Sequence, residues 1–313
     1  MSRQIFEGFK MIGDILLPDA SLKRSGTYFE SGLQCRTDAI TANATYFGNA
    51  QWAQEYLDFC HRDAHFKSRW LAAAGDWTDK VVIDLGCGPG NIFATLGGKP
   101  RLLIGVDVAP GSLELAAKLG YTAVLADAAY TPFRSQVADI VAINASLHHC
   151  DDMAAVLREG ARLVKPHGLL VTDHDPQLTA WDYKGLAKLM WDARLWVYRA
   201  IGHGFHKTGS QQSWGLRTEV HHQPGDGVTK EFFHATLEPL GFEVRVYPHN
   251  HQIGADALRG VVGPAQWKYR LGNMLSGRRP SSPTSALSLM CVARRRGDPV
   301  STAPAASQQR TPV

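Results

Sequence analysis

Three glycines spaced two apart, Gly86, Gly88 and Gly90, follow the apolar run Val81–Leu85 in the stretch KVVIDLGCGPGNI, and one acid, Asp84, stands two residues ahead of the first of them. Glycines where a strand gives way to a helix let a ligand touch the backbone and leave the amides of the turn free. The spacing is GxGxG with Asn91 in the sixth position, not the GxGxxG of dinucleotide sites. An acid so close to the loop would repel a pyrophosphate; it suits a cationic group. Asp107 closes a second apolar run 21 residues after Gly86, where a carboxylate can accept both hydroxyls of a ribose. Asp127, in LADAAYTPF, closes a third and is placed to take an adenine amino group.

The second concentration of chemistry is histidine. The chain has 13, and several fall where apolar runs end: His148 and His149 in LHHC, His174 in DHDP, and His249 and His251 in PHNH. If these runs are parallel strands, their histidines crowd one rim of the sheet, and His221 and His222 in TEVHHQPGDG could fold over to join them. A rim histidine can serve as general base toward a hydroxyl. His149 and His174 lead for that role, with Asp173 and Asp175 flanking His174 to orient it. His148, Asp173, His222 and His251 are expected to line the substrate pocket. A base of ordinary basicity would make turnover rise through about pH 6.5. Asp173, His174, His249 and His251 could instead hold a metal, but no helical ligand spacing such as HExxH is present, and no metal is expected.

Positioning such residues takes a sheet. The runs VVIDL, LLIGVDV, TAVLAD, ADIVAINASL and GLLVTDHD are nearly continuous in apolar character, as in parallel strands buried on both faces. Helical patterns fall between them; the clearest starts at Asp151/Asp152 and puts Met153, Val156, Leu157, Gly160 and Leu163 on one face. The alternation predicts an α/β fold, a doubly wound, seven-stranded, mostly parallel sheet with an antiparallel edge hairpin. The expected organisation is a helical N-terminal cap over 1–79, a cofactor-binding core over 80–176, a helical insertion over 177–228, the C-terminal part of the sheet over 229–296 and a disordered tail over 297–313. Ile5, Phe9, Ile12 and Leu16 suggest an amphipathic first helix. Glycines at 202, 204, 209, 215, 225 and 227 could let the insertion hinge as a mobile cover together with the N-terminal helices.

A ligand with an amino group, a ribose and an adenine, and without a phosphate site, is described by S-adenosylmethionine. The motifs VVIDLGCGPGN, GVDV, ADAAYTPF, ADIVAINASLHHCDD and ARLVKPHGLLV, in this order, resemble the class I S-adenosylmethionine-dependent methyltransferases. The resemblance is to the small-molecule group that includes ubiquinone and menaquinone C-methyltransferases and natural-product O-methyltransferases. It covers residues 80–176 by motif and 229–295 by topology. It implies that Asp84 and the glycine loop hold the methionine end, that Asp107 with Val108 holds the ribose, that Asp127 and Ala128 hold the adenine, and that Asn144 and Leu147 flank the methyl end. His167 departs from the glycine usual at that turn. The implied activity is methyl transfer to a hydroxyl of a small organic molecule, a secondary metabolite. The alternatives are C-methylation of a quinol or polyketide-like acceptor, or a non-methylating cyclase or subunit that keeps the cofactor.

Composition narrows the partners. With 44% hydrophobic and 20% charged residues, the 313-residue chain can bury a sizeable core. Residues 259–313 hold nine Lys/Arg against one acid, but no aromatic residues alternate with the basic run, so a nucleic-acid groove is not expected. No apolar run approaches the ~20 residues of a membrane span, and no membrane partner is expected. Five cysteines without CxxC spacing suggest neither a disulfide framework nor a zinc site, and the cytoplasm is the expected compartment.

Overall fold

The computed structural model describes residues 11–31, 36–200 and 208–297. The first part of the amphipathic N-terminal pattern, Ile5 and Phe9, and the tail beyond Gly297 lie outside these residues.

The five apolar runs form strands β3 (Val81–Leu85), β4 (Leu102–Asp107), β5 (Thr122–Leu125), β6 (Ala138–Asn144) and β7 (Val164–Pro176). They pair in parallel in the order β5-β4-β3-β6-β7. Beyond β7 comes the antiparallel hairpin of β9 (Ser288–Arg295) and β8 (Phe242–His249). Expectation and structure part at the other edge. The sheet has nine strands among the described residues, because β1 (Lys23–Ser25) and β2 (Tyr28–Glu30) add to β5. The segment 1–79 therefore supplies strand as well as helix.

Both faces of the sheet are covered, which explains the near-continuous apolar strands. Ile83 and Leu85 pack with Val156, Leu157 and Phe233 on one side, while Val82 packs with Trp70, Leu113 and Ala116 on the other. The helix expected after Asp152 is α6 (Met153–Leu163), whose first turn is capped by the Asp152 carboxylate on the Ala155 amide at 2.9 Å. Such a cap contributes about 1 kcal/mol. The same device starts α1 (Asp38–Tyr46) at Thr37, α2 (Ala50–Phe59) at Asn49 and α3 (Ala64–Ala74) at Asp63. Strand β7 begins earlier than the sequence suggests, at Val164. Its pairing shifts between Thr172 and Asp175, where His174 takes φ 62°. The insertion contains α7 (Gly185–Ala200) and α8 (Gly209–Thr218).

Candidate functional site

Strand order reverses at β3, since the chain moves to β4 and β5 on one side and later to β6 on the other. The carboxyl ends of strands diverge there, and doubly wound sheets bind ligands in that crevice. A cavity of about 330 Å³ opens at this place, lined by Asp84, Gly86, Gly88, Asp107, Val108, Asp127, Ala128, Asn144, Ser146 and His149 among others.

The glycine loop is shaped by two different demands. At Gly86 a Cβ would fall 1.8 Å from the hydroxyl oxygen of Ser146, so β3 and the β6 loop touch only because no side chain is there. At Gly88, with φ +51°, a Cβ would meet no protein atom within 4 Å; it would project into open space beside the cavity. Gly90 was expected to hold cofactor, but it does not line the cavity. Its missing Cβ makes room for Leu119 and Tyr121, 2.9 and 3.0 Å away, so it serves packing.

The acids of the site suit a cofactor carrying an amino group and hydroxyls. Asp84 is buried; its Oδ2 accepts the Tyr121 hydroxyl at 2.8 Å, while its Oδ1 has no hydrogen-bond partner. Burial pushes its carboxyl up to about 7 against the lowering effect of that hydroxyl. An ammonium group beside Oδ1 would relieve both the orphaned oxygen and the buried charge. Asp107 is fixed by two amides, Gly88 N–H to Oδ2 at 2.8 Å and Ala109 N–H to Oδ1 at 2.9 Å, which leaves a lone pair on each oxygen for a diol. Burial raises its carboxyl above the usual value and those amides oppose the rise. Asp127 accepts the Ala129 amide at 2.9 Å, and the side-chain oxygen of Asn144 is buried without a partner. Leu147, expected at the methyl end, points into the hydrophobic core instead.

His149 lines the cavity at the ends of the strands, the one histidine of the expected rim set to do so. Its Nδ1 lies 2.6 Å from the carbonyl oxygen of Thr218, at the end of α8. A carbonyl only accepts, so Nδ1 carries the proton and the neutral ring keeps its lone pair on Nε2. Burial, with His148 nearby, lowers its basicity to about 4.

The other expected histidines lie elsewhere. His174 does not line the cavity. It sits against His61 and His251, ring centres 4.5 and 4.2 Å away, and against Phe66. Asp173 does not reach the cavity either. It is wholly buried and receives Arg69 at 3.0 Å and His249 Nε2 at 2.7 Å, while Arg69 also donates to the carbonyls of His251 and Ile253. His251 turns its Nε2 to Ser288 at 2.6 Å. This cluster ties α3, β7 and β8 together through Arg69, Asp173 and His249. Asp175 does not orient His174; its Oδ1 accepts from His148, whose Nδ1 is 2.8 Å away. His148 and His222 lie behind His149, outside the lining.

The residues that close the cavity belong to the N-terminal segment and carry no motif of their own. Thr37, Ile40, Asn43, Phe47, Tyr56 and His61 line it from the N-terminal segment, and no described residue of 177–228 does. Tyr56 and His61 share a hydrogen bond of 3.0 Å between the hydroxyl and Nε2. The helices dock through Asn91, whose side-chain amide donates to the carbonyls of Tyr56 and Cys60, and through Ser112, which donates to the carbonyl of Phe47. A polar residue at the sixth position of the loop was the one available signal.

Residues 83–172 match the family model described as a methyltransferase domain. Similar proteins include a demethylmenaquinone methyltransferase of Corynebacterium kroppenstedtii, 36% identical over 28% of this chain and 39% of that protein. A ubiquinone biosynthesis O-methyltransferase of Bordetella bronchiseptica is 33% identical over 38% of this chain and 54% of that protein. The chain spans from a quarter to about half of the length of the first curated relatives it matches, at 24%, 51% and 39%. Among solved structures, phosphoethanolamine N-methyltransferase 2 of Haemonchus contortus superposes with a TM-score of 0.53 at 12% identity, over 85% of this chain and 61% of that one. The [4+2]-cyclase SpnF gives 0.50 at 12% identity, over 83% and 97%. Likeness at this identity shows the fold, a Rossmann-like α/β methyltransferase fold with a mixed sheet.

Proposed function

Because the chain carries a class I S-adenosylmethionine-dependent methyltransferase domain, we propose that it methylates a hydroxyl of a small organic molecule, with His149 as general base. The observation that carries this reading is the single cavity shared by the acids of the cofactor site and by His149, whose Nδ1–H is committed to Thr218. When bound, S-adenosylmethionine supplies a methyl group on a positively charged sulfur. Asp84 holds the cationic amino group, Gly86 and Gly88 let the methionine end approach the backbone, and Asp107 with Val108 holds the ribose. Asp127 and Ala128 face the adenine, and Asn144 and Ser146 stand at the reacting end. His149 takes the acceptor's proton on Nε2. Phe47 and Ile40 exclude water above it, and positioning in such an enclosure can supply about 7–11 kcal/mol of barrier lowering.

The enclosing N-terminal helices favour a small acceptor over a polymer, and no helix among the described residues is long and apolar enough to cross a membrane. The quinone-pathway names of two relatives support a phenol or quinol. The test is incubation with S-adenosylmethionine and a panel of phenols, quinols and hydroxy-polyketides, read by mass spectrometry. Formation of S-adenosylhomocysteine with an O-methyl product supports the proposal. A methyl on ring carbon assigns C-methylation instead, and an isomerised acceptor without S-adenosylhomocysteine assigns a cyclase. Cofactor assignment is tested separately by calorimetry on Asp107→Ala. Charge-assisted hydrogen bonds contribute about 1.5–3 kcal/mol each, so affinity should fall at least about tenfold. Unchanged affinity overturns the assignment.

A further inference from the structure

Behind His149 lies a second group of donor atoms that methyl transfer does not use. His148 Nε2, Glu219 Oε2 and His222 Nδ1 lie within 4.8 Å of one another. Glu219 Oε2 is 3.5 Å from His148 Nε2 and 2.5 Å from His222 Nδ1. The three come from two separate parts of the fold: His148 from the 3-10 turn Leu147–His149 after β6, and Glu219 and His222 from the end of α8 and the turn beyond it.

Each donor is already aimed. His148 places its other nitrogen, Nδ1, 2.8 Å from Asp175 Oδ1, and the same oxygen accepts the His148 backbone N–H at 3.1 Å. With Nδ1–H on a buried carboxylate, Nε2 presents a lone pair, the arrangement that surrounds metal-bound histidines. His222 is stacked on Trp181, ring centres 4.4 Å apart and planes within 4°, which fixes its ring. Although they are close, Glu219 Oε2 and His222 Nδ1 are buried atoms without a properly aligned hydrogen bond. The turn that carries these ligands is itself anchored, because the His221 amide donates to the His148 carbonyl at 2.9 Å and its ring rests on Asp226.

We propose that His148, Glu219 and His222 bind a divalent transition-metal ion of the zinc type, which fastens the end of α8 to the end of β6. Two imidazoles and a carboxylate favour zinc over magnesium or calcium, which prefer all-oxygen sets. Three protein ligands leave a fourth position for water, and the partial exposure of Glu219 and His222, at 32% and 35%, admits it. The ion does not touch the acceptor. It holds Thr218 in place, and through the Thr218 carbonyl it positions His149. This last consequence rests on the proposed reaction; metal binding itself does not.

The site is tested on tag-free, metal-stripped full-length protein titrated with Zn²⁺ in a calorimeter and with Co²⁺ followed by its visible d–d absorption. One equivalent should bind in the micromolar range or tighter, with cobalt absorption typical of four-coordination. Glu219→Gln and His222→Gln should each weaken binding by about 100-fold or more, and Asp175→Asn by about 10–100-fold. Circular dichroism melts identify variants that remain folded, and Glu219→Gln, at a partly exposed position, keeps the test decisive if Asp175→Asn does not fold. Zinc binding weaker than about 100 μM, or equal binding by Glu219→Gln and the parent, overturns the proposal.

Discussion

His149 Nδ1 stands 2.6 Å from the carbonyl oxygen of Thr218, so the end of β6 and the end of α8 meet through one imidazole. The contact selects the tautomer that leaves Nε2 basic, and burial holds the ring neutral down to about pH 4. A histidine so placed is a weak base that is always ready at neutral pH.

Replacing His149 by Ala should lower turnover by about 10²–10⁴ while S-adenosylmethionine affinity is kept. The active form is the neutral ring, so turnover should climb with pH through about 4 and be level from about pH 6 upward. The rise through about pH 6.5 expected of an ordinary histidine is thereby displaced downward by burial. A tenfold increase between about pH 6 and 8 would assign the limiting proton transfer to another group.

Gly88→Ala and Gly90→Ala should fail in different ways. At Gly88 an added methyl meets no protein atom and costs about 1–2 kcal/mol for its left-handed backbone, but it would project beside the cavity proposed to hold the cofactor, so cofactor affinity should fall. At Gly90 the methyl strikes Leu119 and Tyr121, so stability should fall further. Thermal melts and calorimetry on the pair separate the two; equal cofactor affinity in Gly88→Ala and the parent would remove that loop residue from the site.

Arg69→Met leaves Asp173 buried without its cation, beside the rings of His249 and His174. Breaking a fully buried pair by removing one member costs about 3–5 kcal/mol, which urea denaturation would register. A loss below about 1 kcal/mol would mean that His249 takes up a proton in compensation.

Stability should fall as pH drops from about 6.5 toward 5. Burial depresses five histidines, His61, His148, His149, His249 and His251, so the unfolded chain binds protons that the native one refuses. Each adds up to about 1.4 kcal/mol per pH unit in that window. Burial raises Asp84 and Asp175 to about 7 and also raises Asp107 and Asp127; these four act in the opposite sense but are fewer than the five histidines. Denaturation midpoints that are flat or rise between about pH 7 and 5 would contradict this.

The cover of the cavity should also be visible in solution. Amide exchange in α1, α2 and the turn between them, which carry Ile40, Asn43, Phe47 and Tyr56 over the cavity, should slow when S-adenosylhomocysteine binds, and less so in α7. Equal rates with and without it would make these helices a fixed wall.

What the sequence by itself determined was local or periodic. Continuous apolar strands announced a sheet buried on both faces, and glycines and acids at strand ends announced a crevice, because a parallel sheet sends every such end to one edge. Asp84, Gly86, Gly88, Asp107 and Asp127 could therefore be placed by number. Tertiary structure decided which residues share a cavity. His174 looked like a rim residue, but the break in β7 turns it into the Arg69–Asp173 cluster, and nothing in DHDP signals that break. Tyr56 and His61 reach the cavity only because Asn91 docks their segment, and Glu219 meets His148 only because α8 returns to β6. Such meetings join elements far apart along the chain, where neither period nor spacing carries information and packing alone chooses the partners.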